Sequence, residues 1–438
     1  MHQSSLRSRS GRFLVLLTGC LIAITPAKAQ SSSLQDRLDH LIQRLDERRV
    51  ELHIPGMAIA VMLDGEMVLA HGFGLADVES GRAVTPETIF AIGSSTKAFT
   101  STLVGMMIDD GKMQWDDPMT SFVPLFDLQV DSDDPDAVVT VRDALSHRSG
   151  FARMGVLWAA GTSSADMIFK TASKAEPVAP FRKKFYYNNV MYLAAGTAAA
   201  RTGDTDWDTM VRERLLEPLG MNDSNTSVTE AMSDPRLSLG YIWNETRENF
   251  KRLPMRHLDA IGPAGSINSN VLDMAHWVQF QLDRGVYQGN RLISEERHQD
   301  TWTTQIDLAP SIGYGLGWFL QEWEGQPVVE HGGNIDGFGA QVALLPESNL
   351  GYVLLTNVTA TPLQQGSMKI VWETMLGDLP DETQLVEAGD YQEFLGEYVA
   401  NFASFKDDRF NVLVQNDKLA VDVPGQMIYE LYPPDEQG

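Results

Sequence analysis

Strand signals in this 438-residue chain fall into two distant blocks with a long helical stretch between them. Gly56 to Gly74 reads as two strands around the turn Asp64-Gly65. Residues 312–358 return to strands, broken at Glu347-Ser348-Asn349. Residues 112–310 read mostly as helices and loops, including Asp131-Ser132-Asp133-Asp134-Pro135-Asp136, a solvated surface turn. Leu34, Leu38, Leu41 and Leu45 mark one face of a helix over Leu34–Leu52, and a helix near 363–377 closes the core. A sheet that must bury its faces, met in the order strands, helices, strands, suits an α/β sandwich. The expected fold is an antiparallel sheet flanked by helices, with an inserted helical region and a site between the two.

Within this frame, Gly93-Ser94-Ser95-Thr96-Lys97 carries the chemistry. Lys97 is the one lysine with a serine three positions before it. Residues three apart share a helix face, so hydroxyl and amine would lie about one turn apart. Apolar residues at Phe99, Leu103, Met106 and Met107 mark a buried helix face that Gly111 ends, which puts Ser94 at or near the helix N-terminus. Serine becomes a nucleophile when a nearby base takes its proton, and a lysine kept neutral by burial can be that base. Free N–H groups at the helix start would stabilise an oxyanion forming beside Ser94. Serine is also a favoured N-cap, so the pair needs partners before it means catalysis.

Two further stretches supply them. Phe185-Tyr186-Tyr187-Asn188-Asn189-Val190-Met191-Tyr192 holds two overlapping Y-x-N readings. Val328-Val329-Glu330-His331-Gly332-Gly333-Asn334 reads as a strand reaching a glycine turn, with another strand at Gln341–Leu345. With these, the chain resembles the serine β-lactamase and penicillin-binding protein-like superfamily, in its class C β-lactamase-related branch, which includes esterases, D-aminopeptidases and β-lactamases. The landmarks S-x-x-K, Y-x-N and a K-T-G-like triplet match Ser94/Lys97, Tyr187/Asn189 and His331-Gly332-Gly333, in the family's chain order. Leu145-Ser146-His147-Arg148-Ser149-Gly150, Gly262-Pro263-Ala264-Gly265 and Tyr314-Gly315-Leu316-Gly317-Trp318 fit as well, and the resemblance covers about residues 35 to 377. Tyr187/Asn189 is chosen over Tyr186/Asn188 because Tyr192 then falls where the family's tail has a tyrosine.

The resemblance implies an acyl-enzyme on Ser94, with Lys97 and Tyr187 sharing the base role and Asn189 holding substrate or orienting Lys97. The oxyanion donors would be the backbone N–H groups of Ser94 and Asn334, and Gly332 and Gly333 would let substrate approach the strand. The triplet departs from the family: most β-lactamases of this branch have lysine where this chain has His331. Histidine, with a pKa of about 6.5, is mostly neutral at pH 7 and pulls weakly on an anion. That favours cleavage of esters or small amides and D-amino-acid peptides over β-lactamase or D-alanyl carboxypeptidase activity, and leaves His331 open to a plain buried role. A non-catalytic binder or sensor of cell-wall fragments is the alternative from another class. His147 belongs to a motif that the family carries away from the chemistry.

The remaining sequence sets the setting. Arg7, Arg9 and Arg12, the apolar run Phe13–Ile24 and Ala27-Lys28-Ala29 read as a signal peptide over residues 1–29, hence a periplasmic or secreted protein. Leu17-Thr18-Gly19-Cys20 resembles a lipobox, so membrane attachment is expected only if Cys20 is lipidated. Cys20 is the sole cysteine, and a chain cleaved at Ala29 has no disulfide to lean on. The net charge of −25 becomes −29 once the four basic residues of 1–29 are removed, which argues against nucleic-acid binding. No G-x-S-x-G elbow, metal spacing or nucleotide motif is present, so neither metal nor cofactor is expected and the partner is a small ester, amide or peptide. Residues 30–377 form the hydrolase domain and 378–390 an acidic linker. Residues 391–438 are a β-rich extension, with a hairpin from Phe410, Val412 and Val414 around Asn416-Asp417 to Leu419, Val421 and Val423.

Overall fold

The computed structural model describes residues 33–244, 246–377, 394–400, 408–415, 418–422 and 428–430. Nine strands form one antiparallel sheet: β1 (Gly56–Leu63), β2 (Glu66–Asp77), β3 (Arg82–Ala83), β4 (Ile306–Ala309), β5 (Ile312–Tyr314), β6 (Phe319–Trp323), β7 (Gln326–Ile335), β8 (Phe338–Leu345) and β9 (Leu350–Thr356), in the order β4-β5-β6-β7-β8-β9-β1-β2-β3. The two strand blocks of the sequence thus meet at the centre, where β1 pairs with β9 from Met57↔Thr356 to Leu63↔Leu350.

The central strands are apolar on both faces because both are covered. Met57, Ile59 and Val61 of β1 pack with Tyr352 and Leu354 against α1 (Leu34–Glu51) and the C-terminal helix Leu363–Leu376. Ala58, Ala60 and Met62 pack with Val342, Leu344, Val353 and Leu355 against the inserted helical region. In α1 the buried residues are Leu38, Leu41 and Leu45, and Ser33 with Asp36 closes a capping box. On the other face α2 (Thr96–Asp109) is buried from Thr96 to Ile108. Phe99 stacks on Trp277 of the helix Val271–Leu282 at 3.6 Å between ring centres.

Residues 112–305 are chiefly helices and loops as expected, with two short hairpins added (Gly240–Asn244 with Asn249–Leu253, and Val286–Tyr287 with Asn290–Arg291). The second strand block begins a little earlier than the sequence suggests, at Ile306. Near the C-terminus, Gly396–Ala400, Asp408–Gln415, Lys418–Asp422 and Ile428–Glu430 form a separate four-stranded antiparallel sheet. The expected hairpin is there, with Gln415 opposite Lys418; its turn Asn416-Asp417 lies outside the described residues, as do Cys20 and the stretches expected to be a signal peptide and a linker. No described helix is long and apolar enough to cross a membrane.

Strand β7 meets the turn Gly93–Ser95, which leads into α2, backbone against backbone. A Cβ on Gly333 would stand 1.9 Å from the Ile92 carbonyl oxygen and 2.9 Å from the Ser94 nitrogen. Gly93 itself has φ +50°, and a Cβ there would stand 2.8 Å from the Asn334 nitrogen. Gly333→Ala should therefore lower stability by about 1–3 kcal/mol or more, since backbone rather than a flexible side chain must move. Gly366→Ala, in the helix Leu363–Leu376 with no atom within 4 Å of the new methyl, should raise it by about 0.5–1 kcal/mol. Urea unfolding of the two variants gives opposite signs if this seam is rigid.

Candidate active site

The helical spacing delivers what it promised for Ser94 and Lys97. Lys97 Nζ lies 3.0 Å from Ser94 Oγ and donates to the Ala264 carbonyl at 2.8 Å. Lys97 is fully buried, and that burial, helped by the Arg153 charge, holds its pKa well below the usual lysine value. A neutral amine has one lone pair; with one hydrogen on Ala264, that pair is free to face the serine hydroxyl.

Tyr187 closes the other side. Lys97 Nζ stands 4.7 Å from the centre of its ring, and its hydroxyl interacts with Ser94. The packed surroundings of that hydroxyl push the phenol above its usual pKa, with Ser94 and Arg153 opposing only in part. Burial therefore works in opposite directions on the two groups, favouring neutral amine beside neutral phenol.

Strand β7 forms the floor. Its pairing with β6 ends at Phe319↔Glu330, whereas its pairing with β8 runs on to Ile335↔Phe338. His331 to Ile335 therefore have a strand neighbour on one side only. The glycine contacts described above put both the Ser94 and the Asn334 nitrogen at the seam between β7 and the turn Gly93–Ser95. A cleft of about 720 Å³ opens there, lined by Ser94, Tyr187, His331, Gly332 and Asn334 among others.

A family model described as Beta-lactamase matches residues 38–370. The chain belongs to that family. Unguisins hydrolase ungD' of Aspergillus campestris is 32% identical over 75% of this chain and 62% of its own length. Penicillin-binding protein 4 of Amycolatopsis lactamdurans is 29% identical over 73% of this chain and 84% of its own. The chain spans about three fifths of the two unguisins hydrolases it matches, 62% of one and 59% of the other. In structure it is similar to the octameric penicillin-binding protein homologue from Pyrococcus abyssi, with a TM-score of 0.72 at 25% identity over 90% of this chain and 89% of that one.

The family's third landmark is modified here, and the structure shows how. His331 is 2% exposed and both ring nitrogens are engaged inside the protein. Nδ1–H donates to the Gly332 carbonyl at 2.6 Å, and Nε2 accepts from the Tyr314 hydroxyl at 3.2 Å. Burial, with Lys97 nearby, pushes its pKa down to about 3, so the ring is neutral and presents no free N–H to a ligand in this arrangement.

Asn189 starts the helix Asn189–Thr202, but its Oδ1 has no partner, and Lys97 is oriented by Ser94 and Ala264. Asn188 proves to be the N-cap: its Oδ1 accepts from the Val190 N–H at 2.9 Å and its Nδ2 donates to the Ala152 carbonyl at 2.6 Å. His147 is not remote from the site. Its ring centre lies 4.4 Å from that of Tyr187, and its Nδ1 accepts the Asn188 N–H at 3.1 Å.

Three groups emerge that the sequence reading did not assign: the Ala264 carbonyl, Arg153 and Glu330. Glu330 is 4% exposed, accepts from Gln341 Nε2 at 2.8 Å, and is pushed up to about 7 by burial. Among the described residues, no group of three or more His, Cys, Asp or Glu is placed to hold a metal ion.

The segment that carries Tyr187 is fixed by Asp143. This buried carboxylate accepts from Arg148 Nε at 2.6 Å, from Arg182 Nε and a terminal nitrogen at 2.9 and 2.8 Å, and from the Thr140 hydroxyl at 2.7 Å. The Tyr186 N–H donates to the His147 carbonyl at 2.8 Å, extending the tie to the next residue. Burial alone would raise the Asp143 pKa, but the arginines and Thr140 together hold it below the ordinary value. Its contribution is thus complete above the ordinary carboxylate pKa of about 4 and is lost as pH falls through the lower folded value. Asp143→Ala should cost about 3 kcal/mol at pH 7, and the gap to the unaltered protein should narrow on acidification. Denaturant midpoints across pH check both statements.

Proposed function

We propose that this protein is a serine hydrolase that works through an acyl-enzyme on Ser94, cleaving esters or small amides and D-amino-acid peptides. The observation that carries this reading is the buried, charge-suppressed Lys97 amine 3.0 Å from Ser94 Oγ. Such an amine accepts the serine proton as Oγ attacks the carbonyl carbon. The carbonyl oxygen gains negative charge beside the Ser94 and Asn334 N–H groups, and collapse expels the alcohol or amine. Because burial raises Tyr187, the phenol acts as the proton donor to the leaving group rather than as the first base. Water then attacks the ester on Ser94 with the proton path reversed, and serine is regenerated.

The hydrolase names of relatives and the family membership support this reading. The neutral, internally bonded His331 weighs against β-lactams held by a charge at that strand position, since none stands there.

A fluorophosphonate should add one adduct per chain, mapped by peptide mass spectrometry to Ser94 and absent in Ser94→Ala. Lys97→Ala should slow p-nitrophenyl ester turnover by about 10²–10⁴. The wild-type rate should fall on acidification as Lys97 takes up a proton. Near-normal turnover in Lys97→Ala, or no adduct on Ser94 from any acylating probe, would sink the proposal. Nitrocefin turnover rivalling that of the esters would move the protein to the β-lactamase reading instead.

A further inference from the structure

The cleft contains an arginine that no step above uses. Arg153 follows the turn Leu145–Gly150, and the two residues before it are held in place. Phe151 is fully buried, and the Ala152 carbonyl is held by the Asn188 side chain at 2.6 Å. The exposed Arg153 side chain reaches over Tyr187, with the guanidinium carbon 5.4 Å from the ring centre, and it lines the cleft with Ser94. It is close enough to act electrostatically on Lys97, Tyr187 and His147.

The chain has 59 acidic residues against 34 basic ones, so an arginine on its surface readily finds a carboxylate. Arg148, Arg182, Arg236 and Arg256 each do. Arg153 is in no ion pair and no hydrogen bond among the described residues; its ring neighbour is an uncharged phenol. The other arginine lining the cleft, Arg48, is bound to Glu51. His331, which also faces the cleft, is neutral. The open cleft thus has one unpaired fork of N–H donors beside the nucleophile. A planar guanidinium with five donors matches a carboxylate better than any uncharged group.

We propose that Arg153 is the anion-binding side chain of the cleft, and that the favoured substrates are esters or amides carrying a carboxylate near the scissile carbonyl. This rests on the hydrolase reading above for its chemistry, but not for the binding itself. Aligned over the Tyr187 ring, Arg153 would hold the carboxylate while the carbonyl lies between Ser94 Oγ and the two N–H donors. Neutral analogues would lose that hold.

The test uses matched ester pairs. For a carboxylate on the acyl side, p-nitrophenyl hemisuccinate is compared with p-nitrophenyl butyrate. For one on the leaving group, 3-acetoxybenzoate is compared with 3-acetoxybenzamide. The measured quantity is the anionic-to-neutral ratio of kcat/KM in wild type, Arg153→Lys, Arg153→Ala and Arg153→Glu. In at least one pair the ratio should fall about tenfold or more in Arg153→Ala, further in Arg153→Glu, and less in Arg153→Lys, chiefly through KM. Equal losses on both members of each pair would show that Arg153 only tunes Lys97 and Tyr187, and would overturn the proposal. Calorimetry on Ser94→Ala and Ser94→Ala/Arg153→Glu, titrated with succinamate and with succinamide, is independent of turnover. Binding of succinamate that is lost with Arg153 supports the site even if no ester is hydrolysed and the hydrolase reading fails. Succinamate binding that is absent, or indifferent to Arg153, overturns it even if the fluorophosphonate labels Ser94.

Discussion

The structure depends on how closely strand β7 can approach the turn that starts α2. Two backbones meet there with no side chain between them, since a methyl on Gly333 would overlap the Ile92 carbonyl. That contact joins the sheet to the helical region and fixes the Ser94 nitrogen relative to Asn334. Burial of Lys97 follows from it: the turn Gly93–Ser95 that leads into α2 lies between β7 and the segment Gly262–Gly265, and among the described residues the amine hydrogen-bonds Ser94 and Ala264 alone. The low proton affinity of the lysine is thus a product of packing. Substitutions that loosen the seam would hydrate the amine and return its charge.

A second support lies beneath Tyr187. Asp143 gathers Arg148 and Arg182, which lie in separate stretches of chain, and the segment leading to Tyr187 hangs between them. Breaking a buried ion pair by removing one partner is more damaging than never having made it, because a buried charge is left unpaired, here that of Arg148 above all. The pair therefore fixes the geometry of a loop whose own sequence, Phe181-Arg182-Lys183-Lys184-Phe185, has little tendency toward a single conformation.

What could be read from the sequence was what short-range pattern encodes. The alternating and continuous apolar runs gave β1 and β9, and the helical period after Ser94 gave the face shared with Lys97. Asn188 was also within reach: an asparagine at the start of the apolar run Val190-Met191-Tyr192-Leu193 is an N-cap signal, although the adjacent Asn189 offers the same signal one residue later. The Ala264 carbonyl, Arg153 and Glu330 were not within reach. A backbone acceptor has no residue signature, and Arg153 resembles any surface arginine until the fold sets it against Tyr187. The state of His331 depends on Tyr314, on another strand, so its type indicated neutrality but not that both nitrogens were taken.

The pairing of β1 with β9 also has a kinetic side. Met57 lies opposite Thr356, so the middle of the sheet cannot close until nearly all of the described core has been synthesised. Closing a loop of that size adds to the barrier before any ladder bond repays it. The intervening helices are made first, and the helix Val271–Leu282, which packs on β1 and β9, must wait with part of its apolar face uncovered for a strand that arrives last. Folding of this chain is therefore gated by its own C-terminal strands, and the period of greatest exposure to misassembly falls before β9 docks.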